Sequence, residues 1–167
     1  MLDGAELSQN DAVIYSGLEY YLRVEEKLRE FFSLVNYCGG YCYYTDGVGC
    51  CTGEFYIDAN VELNRQRKSL YGGKVKRSNC DDTKPCRFHC PSSGCSLVTH
   101  RSVVCNSFVC QSFRRYLMQQ YQISYDSGEM AQLLKILLRN VLKKRELDYL
   151  LNKINSWIFQ VKKVDNR

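Results

Sequence analysis

Residues Cys86–Cys110 read CRFHCPSSGCSLVTHRSVVCNSFVC. Five cysteines fall in this stretch, with three, four, nine and four residues between successive members. Upstream stands a second group, Cys38, Cys42 and the adjacent pair Cys50 and Cys51. Two dense cysteine groups, distant in sequence, point to a centre that ties the chain together. Everything else in the chain is read around that centre.

Compartment decides what the thiols are for. The N-terminus, MLDGAELSQNDAVIYSGLEYY, shows no basic stretch followed by an apolar run, which argues against a secretory signal. No run approaches the roughly 18 apolar residues of a membrane span. The expectation is therefore a cytoplasmic protein with no membrane partner and with reduced thiols. Clustered reduced thiols serve more often as metal ligands than as disulfides. The 167 residues suffice for one domain with its own hydrophobic core, so the centre is not forced by small size.

Four thiolates hold zinc, and four also hold an iron–sulfur cluster. Thiolate softness selects such centres over hard cations. Eight cysteines form the candidate ligand set: Cys38, Cys42, Cys50, Cys51, Cys86, Cys90, Cys95 and Cys105. They suffice for one or two centres, with zinc placed narrowly ahead of iron–sulfur. Glycines at 39, 40, 47, 49 and 53 supply the tight turns that crowded ligands need. His89 lies between Cys86 and Cys90 and could replace a thiolate, but a place behind the ligands suits it better. His100 is read the same way. A thiol–disulfide enzyme would use Cys-x-x-Cys, and that spacing is absent. Phosphate-binding loops, dinucleotide glycine patterns and serine elbows are absent too.

The flanks read as helices, giving a mainly α fold with little strand around an irregular cysteine-rich core. The divisions are an N-terminal helical part (1–37), the cysteine core (38–110) and C-terminal helices (111–167). Ile14, Leu18, Tyr21, Leu28, Phe32 and Val35 recur at helical spacing, predicting a helix over 10–35 that starts near Ser8. Glu25, Glu26 and Glu30 are placed on its outer face. Asp58 is expected to cap a helix over 59–71. One helix is expected from Val103 through Gln122, with Cys105 in its first turn, where the positive helix end favours thiolate. From Ser127 onward two apolar stripes change phase at Lys143–Glu146, predicting two helices or one with a kink. Core packing is the first reading of these stripes; a protein partner or a homodimer contact is the second.

Charge is divided unevenly. Residues 1–56 hold three basic and nine acidic residues, a net −6; the rest hold 20 basic and nine acidic, a net +11. Arg65, Arg67, Lys68, Lys74, Lys76 and Arg77 form the densest basic run. Such a run suits phosphate contacts. A solvated helix end explains it as well, and nucleic acid is not the favoured partner.

Gly94-Cys95-Ser96-Leu97, followed by Arg101-Ser102-Val103-Val104-Cys105-Asn106-Ser107-Phe108, resembles the second half of the YkgJ-like cysteine-cluster family, which is described as zinc- or iron-chelating. Cys38, Cys42, Cys50 and Cys51 resemble its first half, and Cys86 the cysteine that opens the second. Ser102 stands where proline is commoner, and seven residues separate Cys42 from Cys50 where the family is tighter. The resemblance spans residues 38–110 and implies metal binding without a defined reaction. Related clusters occur in flagellin lysine methylases, but no S-adenosylmethionine-binding pattern is visible here. Three functions follow in order: a metal-binding structural or interaction protein, an iron–sulfur redox or methyl-transfer enzyme, and a zinc-stabilised nucleic-acid binder using residues 65–77.

Overall fold

The computed structural model describes residues 17–37, 54–72, 86–90, 94–139 and 144–166, Cys90 by its backbone alone. Within them are six helices and one very short hairpin. The order is α1 (Gly17–Leu34), α2 (Val61–Tyr71), β1 (His89–Cys90), β2 (Gly94–Cys95), α3 (Val103–Ser107), α4 (Gln111–Tyr121), α5 (Ser127–Leu138) and α6 (Lys144–Asp165). The fold is mainly α, as the periodicity predicts. The expected helix start at Ser8 lies outside the described residues.

One apolar core draws on every helix. Tyr21, Val24, Leu28, Phe31 and Phe32 come from α1, and Leu147, Leu150, Ile154, Trp157, Ile158 and Val161 from α6. Leu134 and Leu137 of α5 and Phe113 and Leu117 of α4 complete it, with Leu63 and Val103 supplied by α2 and α3. Trp157 sits at its aromatic centre, 5.4 Å from the Phe31 ring and 5.3 Å from Tyr125. Each fully buried side chain of this kind contributes about 1.5–3 kcal/mol of transfer free energy. The phase change near residue 143 resolves into two helices, α5 and α6, both packed on α1.

Three local expectations are corrected. Asp58 does not cap α2. Asn60 does, accepting the Leu63 N–H at 2.9 Å, while Asp58 accepts the N–H groups of Asn60 and Val103. The helix expected over 103–122 is broken at Phe108–Cys110. There the backbone extends, and Val109 turns into the core at 1% exposure. The interruption is satisfied by Tyr37, whose hydroxyl donates to the Phe108 carbonyl at 2.9 Å, and by Ser127, whose hydroxyl accepts the Val109 N–H at 3.1 Å. Finally, Glu25 is not on the outer face of α1: it is 2% exposed.

Asp126 caps α5, its carboxylate accepting from the N–H groups of Gly128 and Glu129 at 2.8 and 3.0 Å. Those two bonds hold its pKa below the usual aspartate value. The fold therefore gains stability from this carboxylate above the ordinary aspartate range, and loses that gain as pH falls through the lower folded-state value. Asp126→Asn keeps a capping acceptor but cannot titrate. Thermal melts from pH 7 to pH 3 are expected to show a smaller acid-side loss in this variant than in the wild type.

Candidate metal centre

The loop between the hairpin and α3 is held by a buried carboxylate. Glu25 Oε1 accepts the Arg101 N–H at 2.7 Å and the Asn106 amide at 3.1 Å. Its Oε2 accepts the His100 N–H at 2.8 Å and the Thr99 hydroxyl at 3.0 Å. Tyr21 donates to the Arg101 carbonyl at 2.7 Å, and Arg67 to that of His100 at 3.0 Å. This ring of partners holds His100 in the left-handed region, at φ 61°, which costs energy for a residue with a side chain. Its imidazole Nε2 is 2.9 Å from the Gln66 amide oxygen. His100 is thus committed to the scaffold through its backbone and its ring.

Beside that loop lies a cavity of about 420 Å³. Its walls are aromatic and aliphatic, among them Phe32, Tyr56, Phe88, Leu97, Val104 and Phe108. Cys86, Cys95 and Cys105 line it together, with His89 and Arg101. Cys86 packs with Phe88 and Leu97 in a small second core. Cys95 ends β2, whose pairing with β1 sets His89 opposite it. Cys105 is fixed by the start of α3: buried Ser102 is the N-cap, accepting the Cys105 N–H at 3.1 Å and donating to the Phe55 carbonyl. Cys86, Cys95, Cys105 and Cys110 are all free thiols.

The three cavity thiols are near enough to influence one another electrostatically. Burial pushes the Cys86 thiol up, and nearby Cys95 adds to the rise. Burial likewise pushes Cys105 up; the Ser102 hydroxyl opposes this, Cys95 and Cys86 add to it, and Arg101 pulls down. The helix-start argument for a ready thiolate at Cys105 is thus outweighed by desolvation. A metal taken up here would displace protons from these sulfurs.

The expected ligands divide as follows. Cys86, Cys95 and Cys105 are brought to one cavity. Cys38, Cys42, Cys50 and Cys51 lie outside the described residues, as does the side chain of Cys90. Tyr37 and Phe55, on either side of the upstream group in sequence, both line the cavity. Cys110 packs against the main core instead. Among the described residues no three His, Cys, Asp or Glu side chains are grouped closely enough to hold a metal ion. The donor set nevertheless fits a thiophilic centre in kind: three thiols and an imidazole line one apolar-walled cavity.

The basic run is less available than its sequence suggests. Arg65 is paired with Glu62 at 2.6 Å. Arg67 is 4% exposed, bonded to His100 and Asn64 and stacked 5.6 Å from the Tyr56 ring centre. Lys68 is exposed. Lys74, Lys76 and Arg77 lie outside the described residues.

The class defined by fold and site is a mainly helical protein with a thiol-lined cavity. Compared with models of known families, with curated proteins and with solved structures, the chain matches none. No helix among the described residues is long and apolar enough to cross a membrane.

Proposed function

We propose that the chain is a metal-binding protein whose clustered cysteines hold zinc or an iron–sulfur cluster, and that the centre organises a structural or interaction module. The observation that carries this is the convergence of Cys86, Cys95 and Cys105 on one cavity whose rim includes Tyr37 and Phe55. Remaining ligands would come from Cys90 and from Cys38, Cys42, Cys50 and Cys51. Zinc would supply a cross-link between distant segments, whereas a cluster would supply one-electron chemistry. The chain's own residues then have defined tasks. Ser102 fixes Cys105, Arg101 offsets thiolate charge, and Phe88, Leu97 and Phe108 keep water from the sulfurs. A cytoplasmic setting, which keeps thiols reduced, belongs to this reading. A protein partner or a second copy would meet the C-terminal helices, where Tyr149 and Phe159 are exposed.

The test is purification without oxygen, followed by iron, sulfide and zinc analysis per chain and a visible spectrum. The expected result is at least one zinc, or iron with matching sulfide. Iron and sulfide with reversible reduction would turn the reading toward the redox or methyl-transfer alternative. Absence of both metals from protein with intact thiols would overturn the proposal.

A further inference from the structure

A second concavity, of about 300 Å³, lies on the α2 side of the small core. Its lining combines three aromatic rings with three cations, and none of the described residues that line it is acidic. Phe88 forms the floor at 6% exposure. The Tyr56 ring lies nearly perpendicular to it at 5.0 Å and 84°, and the Tyr71 ring at 6.1 Å and 72°. Both tyrosines are half-buried, and both are fixed. Tyr71 accepts the N–H groups of Val98 and Thr99 through its hydroxyl, each at 3.1 Å, and Tyr56 lies under the Arg67 guanidinium. Arg67 is spent on this scaffold. Lys68 and Arg87 are not: both are exposed, and neither has an ion-pair partner among the described residues. Arg87 lies 5.4 Å from the Phe88 ring centre, over the same cluster.

Rigid, partly exposed rings beside uncompensated cations match one ligand chemistry well, a flat base joined to a phosphate. Bases stack on aromatic faces with little regard to sequence, and the cations meet the backbone charge. We propose that this groove binds nucleotide units of single-stranded nucleic acid, with Tyr56 and Tyr71 offering stacking surfaces and Lys68 and Arg87 contacting phosphate. A duplex cannot present its bases to such a groove. The surface differs from the one expected from sequence, since Arg65 and Arg67 are replaced by Arg87 and the aromatic rings.

The proposal does not rest on the metal reading, and metal content measured in every sample keeps the two separable. The full chain, purified without oxygen, is titrated into fluorescein-labelled 12-nucleotide single-stranded RNA and DNA, and binding is followed by anisotropy at several salt concentrations. Lys68→Glu and Arg87→Glu are expected to weaken binding about tenfold each and to reduce the salt slope by about one for each phosphate no longer neutralised. Arg145→Glu, an equal charge change at an exposed site on α6, is expected to have little effect. Competition by adenosine monophosphate as effective as by the oligonucleotide would identify a free nucleotide as the source of the same chemistry. No binding at low salt would overturn the proposal. So would equal weakening by Arg145→Glu, or equal affinity for a duplex or for heparin.

Discussion

Serine at Cys95 or at Cys105 is expected to remove one centre's metal and to lower the melting temperature by more than about 10 °C. The size follows from the proposed coupling of metal to fold. Structural zinc sites contribute apparent free energies of about 10–16 kcal/mol in small domains, and losing one thiolate forfeits several of these. For a chain of this length, each kcal/mol shifts melting by about 2–4 °C. Cys95 and Cys105 are the sharper tests because hydrogen bonding and strand pairing place each of them on the cavity wall. Cys110→Ser is the control. Its thiol packs on the main core, so metal content is expected to stay unchanged. Metal analysis and melting curves for the three variants decide the matter. Unchanged metal and melting in both Cys95→Ser and Cys105→Ser would remove those residues from the ligand set.

The second large effect is expected at Glu25, independently of any metal. Alanine there leaves four donors on Thr99, His100, Arg101 and Asn106 without their acceptor in a buried site. An orphaned buried donor costs about 1–3 kcal/mol, so a total loss of about 4 kcal/mol or more is expected even with partial rehydration. Glu25→Gln recovers only part of this. Both carboxylate oxygens accept, so an amide sets its own N–H groups against one pair of donors. Glu26→Ala, one residue on and exposed, is expected to fall within about 0.5 kcal/mol of wild type. Chemical denaturation of the three variants gives the ranking; a Glu25→Ala midpoint equal to that of Glu26→Ala would show that the carboxylate holds nothing.

Why Glu25 escapes a first reading of the sequence is instructive. Charged residues in an amphipathic helix are assigned to solvent by type. Position argues otherwise, since residue 25 is four after Tyr21 and three before Leu28, on the face that also carries Phe32. The same holds for Arg67, four residues from both Leu63 and Tyr71 on the buried side of α2. Spacing held the signal in both cases, and residue type hid it. The stripes of α1, α5 and α6 were legible because type and spacing agree. The break at Phe108–Cys110 has no such local mark: it exists because Val109 finds the core and because Tyr37 and Ser127, distant in sequence, satisfy its neighbours. Of the candidate centre, cysteine spacing disclosed three residues that the fold brings to one cavity. The aromatic walls and the Ser102 anchor depend on tertiary contacts that no spacing predicts.

The Glu25 clamp also bears on how the thiols find one another. Its bonds join residues 74 to 81 positions apart, and Tyr21 with Asn106 extends the span to 85. All eight candidate ligands lie within that span of sequence. Once the clamp closes, Tyr37 and Phe55, which flank the upstream cysteines in sequence, both stand at the cavity that Cys86, Cys95 and Cys105 line. For the proposed centre, encounter of the two cysteine groups would then be governed by effective concentration rather than by diffusion of a long open chain. Much of the entropy of forming that proposed centre would be met by hydrogen bonds and apolar packing before an ion arrived, which would favour capture within one chain over bridging between two.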